Sequence, residues 1–167
     1  MAVNLSASEY PARRASTGQA AGLRAVCAAA ALLCACGPVG PIPGGQLSGE
    51  LVTDPVSDWS FSDEFKNIQI ETALDDPYSV TLWCATNEGQ LYIAAARGKE
   101  STWARNLVDD PRARVLIDGK LYERKAVHVT DSSEADAALR MFVAKYDFDM
   151  PSEEERERGM LFRMDAP

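Results

Sequence analysis

The sequence predicts a mainly β domain with peripheral helices, of the α+β class, in which short antiparallel strands form a small barrel. Three observations predict it. Segments of alternating apolar and polar residues recur at short intervals, as strands that bury one face do. Tight turns containing glycine join neighbouring segments into hairpins. The segments with helical spacing are short and stand between the hairpins, which places the helices at the periphery of the sheet.

Each predicted element follows from a local pattern. The clearest hairpin joins 78–85 to 91–96 through Asn87-Glu88-Gly89, and a second hairpin turns at Gly119. Asp131-Ser132-Ser133-Glu134 resembles a helix start, and apolar residues with roughly helical spacing follow it. In chain order, the predicted elements are strand 50–53, a short helix capped by Ser62, strands 67–72, 78–85 and 91–96, helix 101–108, strands 113–118 and 121–130, a helix from 131 to 146, a short acidic helix that opens at 151–155, and strand 160–164.

The first 35 residues predict a secretory signal. Three arginines precede the uncharged run 25–35, and a basic stretch followed by a short apolar run is typical of such a signal. This run is too short to cross a bilayer, which takes about 20 helical residues. It ends in Leu33-Cys34-Ala35-Cys36, which resembles the lipobox of bacterial lipoproteins. The resemblance implies cleavage after Ala35 and a diacylglyceryl group on the sulfur of Cys36. The alternative is a buried alanine-rich helix, but such a helix would have polar residues on its outer face.

The remaining chain is predicted to contain a tether, 36–48, and one domain, 49–167. Proline and glycine are so frequent in 36–48 that this segment holds neither a helix nor a strand ladder. We therefore expect a tether between the membrane and the domain. The predicted location is the cell envelope, with the domain outside the cytoplasm and lipid on Cys36 as its contact with the membrane.

Composition excludes several classes of function. The chain has 25 acidic and 17 basic residues and a net charge of −8, which argues against a nucleic-acid partner. Of its four cysteines, only Cys84 is neither removed with the predicted signal nor lipidated, which excludes an internal disulfide and a cysteine-based metal site. His128 is the only histidine, and a lone histidine does not form a metal site, so no metal is predicted.

A characteristic order of features runs from 91 to 117. A strand is followed by Arg97-Gly98-Lys99, then by a helix in which Trp103 stands three residues before Asn106-Leu107, and then by Pro111 and another strand. This order resembles the split β-barrel superfamily of flavin-binding proteins, which includes the pyridoxamine-phosphate-oxidase-like proteins, and is similar in particular to its deazaflavin-dependent nitroreductase branch. The resemblance extends from about Ile68 to the C-terminus. It implies a small antiparallel split β-barrel, a homodimer, and FMN or a deazaflavin as cofactor.

The loop after the strand suits the phosphate of such a cofactor. A strand that runs through a glycine-containing loop into a helix start leaves backbone N–H groups free, and these groups favour an anion. Arg97 and Lys99 add positive charge, while Ser101 and Thr102 offer hydroxyl groups. Together with Trp103, they are the candidate cofactor-binding residues of the loop.

The resemblance also implies that the ring system of the cofactor lies against the strand containing Ser79 and Thr81, mainly through backbone groups. The cofactor would then carry the chemistry while the protein positions it, and no catalytic residue is predicted. The favoured hypothesis is a membrane-anchored domain that binds a flavin or deazaflavin and acts as an oxidoreductase.

A cofactor-free function is the alternative. The strand before the loop ends in Ala95-Ala96, where family members often have serine or threonine. Under this hypothesis Arg97 and Lys99 form a solvated loop, and Trp103 only fixes the short helix to the barrel. The protein would then be an envelope binding or structural lipoprotein with the same fold.

Overall fold

The computed structural model describes residues 37–167. Within them the strands are β1 (Glu50–Leu51), β2 (Ile68–Thr72), β3 (Tyr78–Leu82), β4 (Cys84–Asn87), β5 (Gln90–Ala95), β6 (Arg112–Ile117), β7 (Lys120–His128) and β8 (Met160–Asp165). The helices are α1 (Thr102–Asp109), α2 (Ser132–Tyr146) and α3 (Glu153–Arg158), with short 3-10 turns at Ser60–Glu64 and Gly98–Glu100.

The strands form one curled sheet. Their order is β3-β2-β6-β7-β8-β5-β4, all neighbours in this order are antiparallel, and β1 adds to β7 in parallel. The two end strands, β3 and β4, are separated along the chain only by Trp83, so the sheet must curl until its ends meet. The predicted fold class, a small antiparallel split β-barrel with peripheral helices, is confirmed.

The predicted strand 78–85 is in fact two strands. Val80 lies opposite Ile70 of β2, whereas Cys84 lies opposite Ile93 of β5, at the other end of the sheet. The chain turns this corner at Trp83. The alternating pattern continues through the corner because residues on both sides still alternate between the inside and the outside of the barrel, so the sequence alone does not show the break.

The helices pack on two different parts of the barrel. Helix α1 contributes Trp103, Ala104 and Leu107 to the core inside the barrel, where Ile70, Ile93, Val115, Phe162 and Met164 are also buried. Helix α2 packs on the outer face of the sheet, where its Ala138 and Phe142 contact a cluster with Tyr92 and Leu161. Alternating residues of β5 therefore supply both cores.

Helix starts agree with the sequence at one position and differ at another. Asp131 caps α2, since its side chain accepts a hydrogen bond of 2.8 Å from the N–H of Glu134. The predicted cap at Ser62 is wrong, because Ser62 is buried within the 3-10 turn Ser60–Glu64. The turn starts earlier because the Asp58 carboxylate accepts hydrogen bonds from both the N–H and the hydroxyl of Ser60, at 2.9 and 2.6 Å.

The predicted tether, 36–48, contacts the domain over much of its described length. Gly44 forms an isolated antiparallel bridge with Ser79, and Leu47 is only 3% exposed. The amide of Gln69 donates a hydrogen bond of 3.4 Å to the carbonyl of Pro38. These contacts fix the segment against β2 and β3. The predicted signal, 1–35, and Cys36 lie outside the described residues.

Candidate functional site

The predicted loop residues lie together at the end of β5 and the start of α1. The side chains of Arg97 and Lys99 are exposed, those of Ser101 and Thr102 are half-buried, and Trp103 is 8% exposed. The Trp103 ring lies 5.9 Å from that of Phe162 in the barrel core. Trp103 therefore holds α1 against the barrel, while the other four residues line the loop surface.

Gly98 determines the course of this loop. Its φ is +48°, a left-handed conformation that glycine adopts without the steric cost of a side chain. A Cβ atom at this position would lie 2.1 Å from the carbonyl oxygen of Arg158. The loop therefore packs closely on the end of α3, which requires glycine between Arg97 and Lys99.

Arg105 is a further cation of the site, and the sequence analysis missed it. Its guanidinium donates hydrogen bonds to the Lys99 carbonyl, at 3.0 Å, and to the Thr102 hydroxyl, at 3.3 Å. The side chain thus folds back towards the N-terminal end of α1. The spacing of three residues from Thr102 could have revealed it, since residues at this spacing share one helix face.

The N-terminal end of α1 combines positive charge with free donors. Among residues 37–167, Arg97, Lys99 and Arg105 form no salt bridge. The N–H groups of Ala104 and Arg105 bond to the Ser101 carbonyl, whereas those of Thr102 and Trp103 have no hydrogen-bond partner in the described part of the chain. Free N–H groups at a helix start and unpaired cations both favour an anion.

Helix α1 is tied to β2 and β3 at its other end. The Asn106 side chain donates a hydrogen bond of 3.1 Å to the hydroxyl of Thr72, which in turn donates one of 3.2 Å to the Tyr78 carbonyl. This chain of contacts joins the predicted phosphate-binding helix to the start of the strand containing the other two candidates, Ser79 and Thr81.

Ser79 and Thr81 differ in accessibility. The N–H and C=O groups of Ser79 point away from β2 and pair with Gly44, with both hydrogen bonds at 2.9 Å. In an edge strand, every second residue directs its N–H and C=O groups away from the neighbouring strand, so those of Thr81 point in the same direction as those of Ser79. Among residues 37–167 these groups of Thr81 have no backbone partner. The Ser79 side chain is fully buried, and its hydroxyl has no hydrogen-bond partner in this part of the chain.

A buried carboxylate holds the segment that covers Ser79. Glu71 lies opposite Ser79 on β2, is 0% exposed, and forms a salt bridge with Arg114 of β6. Its other carboxylate oxygen accepts a hydrogen bond of 2.6 Å from the N–H of Leu47. The N-terminal segment is therefore held at one point on the strand edge and at a second point on the sheet face.

The sequence of residues 62–157 matches the family described as "Uncharacterized protein conserved in bacteria (DUF2255)". This match spans more than half of the chain and includes every candidate cofactor-binding residue. The chain belongs to this family. No curated protein matches it in sequence.

Solved structures share the fold of this family member. A conserved hypothetical protein from Mycobacterium tuberculosis aligns with a TM-score of 0.52 and 17% identity, over 72% of this chain and 85% of that one. A putative 5-nitroimidazole antibiotic resistance protein from Bacteroides thetaiotaomicron aligns with a TM-score of 0.51 and 13% identity, over 73% and 86%. A FAD-binding protein from Mesorhizobium loti gives 0.44 and 20%, over 62% and 82%. The first two alignments, with TM-scores above 0.5, show a likeness of fold alone, and the resemblance seen in the sequence is confirmed at that level.

The family region contains a second polar cluster, at the seam between β3 and β4. The Tyr146 oxygen lies 2.9 Å from the carbonyl oxygens of Lys66 and Cys84, which share its single O–H, and it accepts from the Cys84 N–H at 3.0 Å. Trp83 stacks on the Tyr146 ring at 4.3 Å. Burial raises the pKa of the Cys84 thiol, although the Lys145 ammonium 3.6 Å from the sulfur opposes this shift. The seam is therefore closed by polar contacts around a protonated thiol.

An open groove of about 720 Å³ lies between β5, β8 and α2. The Glu134 carboxylate at its wall accepts hydrogen bonds from Tyr92, at 3.0 Å, and from Arg163, at 2.6 Å. Burial and the bond to Glu134 raise the pKa of Tyr92 to about 12. None of the candidate cofactor-binding residues lines this groove.

Two further findings concern metal ions and membrane-spanning helices. Across residues 37–167 no group of three or more histidine, cysteine or acidic side chains is placed to hold a metal ion. No helix within the same range has the length and apolar character that a membrane span requires.

Proposed function

We propose that this domain binds a flavin-type cofactor that carries a phosphate, FMN or a deazaflavin, and acts as an oxidoreductase. The observation that carries the proposal is the cluster of Arg97, Lys99 and Arg105 around the free N–H groups of Thr102 and Trp103. In a chain with a net charge of −8, three cations without acidic partners at one helix start form a local site for an anion.

The described residues fit the two ends of such a cofactor. Arg97, Lys99 and Arg105 supply charge-assisted hydrogen bonds to a phosphate. The open N–H and C=O of Thr81 offer a donor and an acceptor side by side on a strand edge, as the polar edge of a planar heterocycle requires. When bound, the cofactor supplies two-electron redox chemistry, and the protein contributes position and electrostatics. In this site the hydroxyl groups of Ser101 and Thr102 would donate hydrogen bonds to the phosphate.

The test compares FMN with riboflavin, which has the same ring but no phosphate. We expect the full chain to bind FMN more tightly than riboflavin, by roughly 10- to 150-fold for each charged contact to the phosphate. This factor follows because one charged hydrogen bond contributes about 1.5–3 kcal/mol of binding free energy. The double variant Arg97→Ala, Lys99→Ala should lose most of this preference and keep its affinity for riboflavin. Titration followed by flavin fluorescence measures all four affinities.

The matched control removes two exposed lysines of β7, Lys120→Ala and Lys125→Ala. It changes the net charge by the same amount, so general electrostatics would affect both double variants equally. Equal loss of FMN affinity in the two variants, or equal affinity of the unmodified chain for FMN and riboflavin, would contradict the phosphate site. A deazaflavin is titrated in parallel, because the loop does not distinguish the two rings.

A cofactor-free binding or structural role is the second candidate. The observation in its favour is the pairing of Ser79 with Gly44, which occupies part of the strand edge against which the ring is expected to lie. A chain that takes up neither FMN nor a deazaflavin in the titration would support this candidate and refute the first.

The proposal extends to the location and assembly of the protein. Lipid on Cys36 would hold the domain at a membrane of the cell envelope, outside the cytoplasm, as a homodimer. Incorporation of labelled palmitate that Cys36→Ser abolishes tests the anchor, and light scattering of the purified chain tests the dimer. A monomer mass, or labelling that survives Cys36→Ser, would refute the corresponding part.

A further inference from the structure

The segment 43–48 covers the edge of β3 at the point where the proposed ring site begins. Its contacts with β3 are a single bridge, in which Gly44 and Ser79 exchange two hydrogen bonds of 2.9 Å. The bridge does not extend into a ladder on either side. The N–H and C=O of Ile42, which would face Thr81, pair with Val39 instead, and Pro77, which would face Gln46, lacks an N–H.

The second contact of the segment is equally local. Leu47 is buried at 3% exposure, and its N–H donates to the Glu71 carboxylate at 2.6 Å. Elements held by few apolar contacts and short hydrogen-bond ladders open more readily than the core of a domain. The segment is therefore able to leave the sheet without unfolding of the barrel.

The surface beneath the segment contains unused hydrogen-bonding capacity. The Ser79 hydroxyl is fully buried and has no partner among residues 37–167. Buried hydroxyls are normally hydrogen-bonded, so the unpaired Ser79 hydroxyl is available to a ligand that takes the place of the segment. Next to it, the outward N–H and C=O of Thr81 are already open. If the segment leaves, the backbone groups of Ser79 and Thr81 together present two donors and two acceptors along one edge, and the Ser79 hydroxyl is uncovered beside them.

We infer that the segment 43–48 is a displaceable cover that competes with the ring of the bound cofactor for the backbone groups of Ser79. The inference rests on the proposed function and specifies how the site is regulated. In the covered state the phosphate site at α1 and the Thr81 edge are open, but the Ser79 edge is closed. Ring binding at Ser79 requires release of the cover, and the covered form limits the affinity of the chain for FMN.

Three variants of the full chain test the competition by FMN titration. Gly44→Pro removes one of the two bridge hydrogen bonds and should tighten FMN binding about fivefold, the factor to which one net hydrogen bond corresponds. Leu47→Ala loosens the second contact without altering the strand edge and should act in the same direction. Ile42→Ser is the matched control, because Ile42 directly precedes the segment and its side chain is exposed, so affinity should not change.

Hydrogen exchange supplies an independent readout. With saturating FMN, the Leu47 amide should lose its protection, whereas the Ser79 amide should remain protected because the ring replaces Gly44. FMN binding with unchanged affinity in Gly44→Pro and Leu47→Ala, and with Leu47 still protected, would overturn the competition and leave the proposed cofactor site intact. Absence of FMN and deazaflavin binding in all variants, Gly44→Pro included, would overturn the proposed function and the competition together.

Discussion

Replacement of Gly98 by alanine should destabilise the domain by more than the cost of its backbone conformation. The φ of +48° costs an L-residue about 1–2 kcal/mol. The new Cβ would lie 2.1 Å from the Arg158 carbonyl oxygen, whereas real Cβ atoms essentially never come closer than 3.0 Å, so the loop or α3 must move by about 0.9 Å. Overpacking of this kind costs about 1–3 kcal/mol. The expected loss of unfolding free energy is therefore about 2–5 kcal/mol.

Gly119→Ala separates the two contributions. Gly119 has a φ of +74°, but a Cβ there would meet no atom within 4 Å. This variant should lose only the conformational part, about 1–2 kcal/mol. Urea unfolding of both variants and of the unmodified chain, monitored by tryptophan fluorescence, measures the two losses. Gly98→Ala that is no less stable than Gly119→Ala would refute the close packing of the loop on α3.

The same substitution also tests the link between loop position and cofactor binding. A shift of about 0.9 Å at residue 98 displaces the flanking Arg97 and Lys99 relative to the helix start. FMN affinity should fall in Gly98→Ala while riboflavin affinity stays the same, and Gly119→Ala should affect neither. A fall in both affinities would instead indicate general loosening of the barrel.

Two further predictions concern buried polar groups. Glu71→Gln should cost about 3–5 kcal/mol, because it leaves the Arg114 cation without its buried partner, and the double variant Glu71→Met, Arg114→Met should be less destabilised in urea than Glu71→Gln. Burial raises the pKa of Tyr92 and of Tyr146 to about 12, whereas an unfolded tyrosine titrates near 10. Both phenols are neutral in both states below pH 10, so their contribution to stability is complete there and is lost as the pH rises from about 10 to 12. Urea midpoints measured across this range should fall, and Tyr146→Phe should flatten the decline; an unchanged slope would contradict the assignment.

The parts of the fold that depend on near neighbours were predictable from the sequence. The turn before β5 follows from Glu88-Gly89, which adopt φ values of 51° and 75° as a tight hairpin turn requires. The Asp131 cap depends on a residue only three positions away. In the candidate site, the local order of strand, glycine-containing loop and helix was likewise enough to predict that Arg97 and Lys99 lie near the start of α1.

The missed features depend on residues far apart in the chain. Leu47 is one of three apolar residues, with Val39 and Ile42, in the glycine- and proline-rich stretch, and its N–H bonds to Glu71, 24 residues later. Alternation predicts that Ser79 faces solvent, whereas its side chain is buried and its backbone pairs with Gly44, 35 residues earlier in the chain. The corner at Trp83 arises because the sheet closes on itself. The alternation of apolar and polar residues along one strand contains no information about this closure.

The bridge between Gly44 and Ser79 also limits self-association. An uncovered edge strand displays a row of free N–H and C=O groups, on which a strand of another molecule can add. At the opposite end of the sheet, α2 packs against β4 and the Tyr146 hydroxyl occupies the Cys84 N–H. With Gly44 in place, β3 offers only the outward pair at Thr81, which is too short to template an intermolecular sheet. At high protein concentration, the N-terminal segment would thus keep neighbouring copies from polymerising edge to edge.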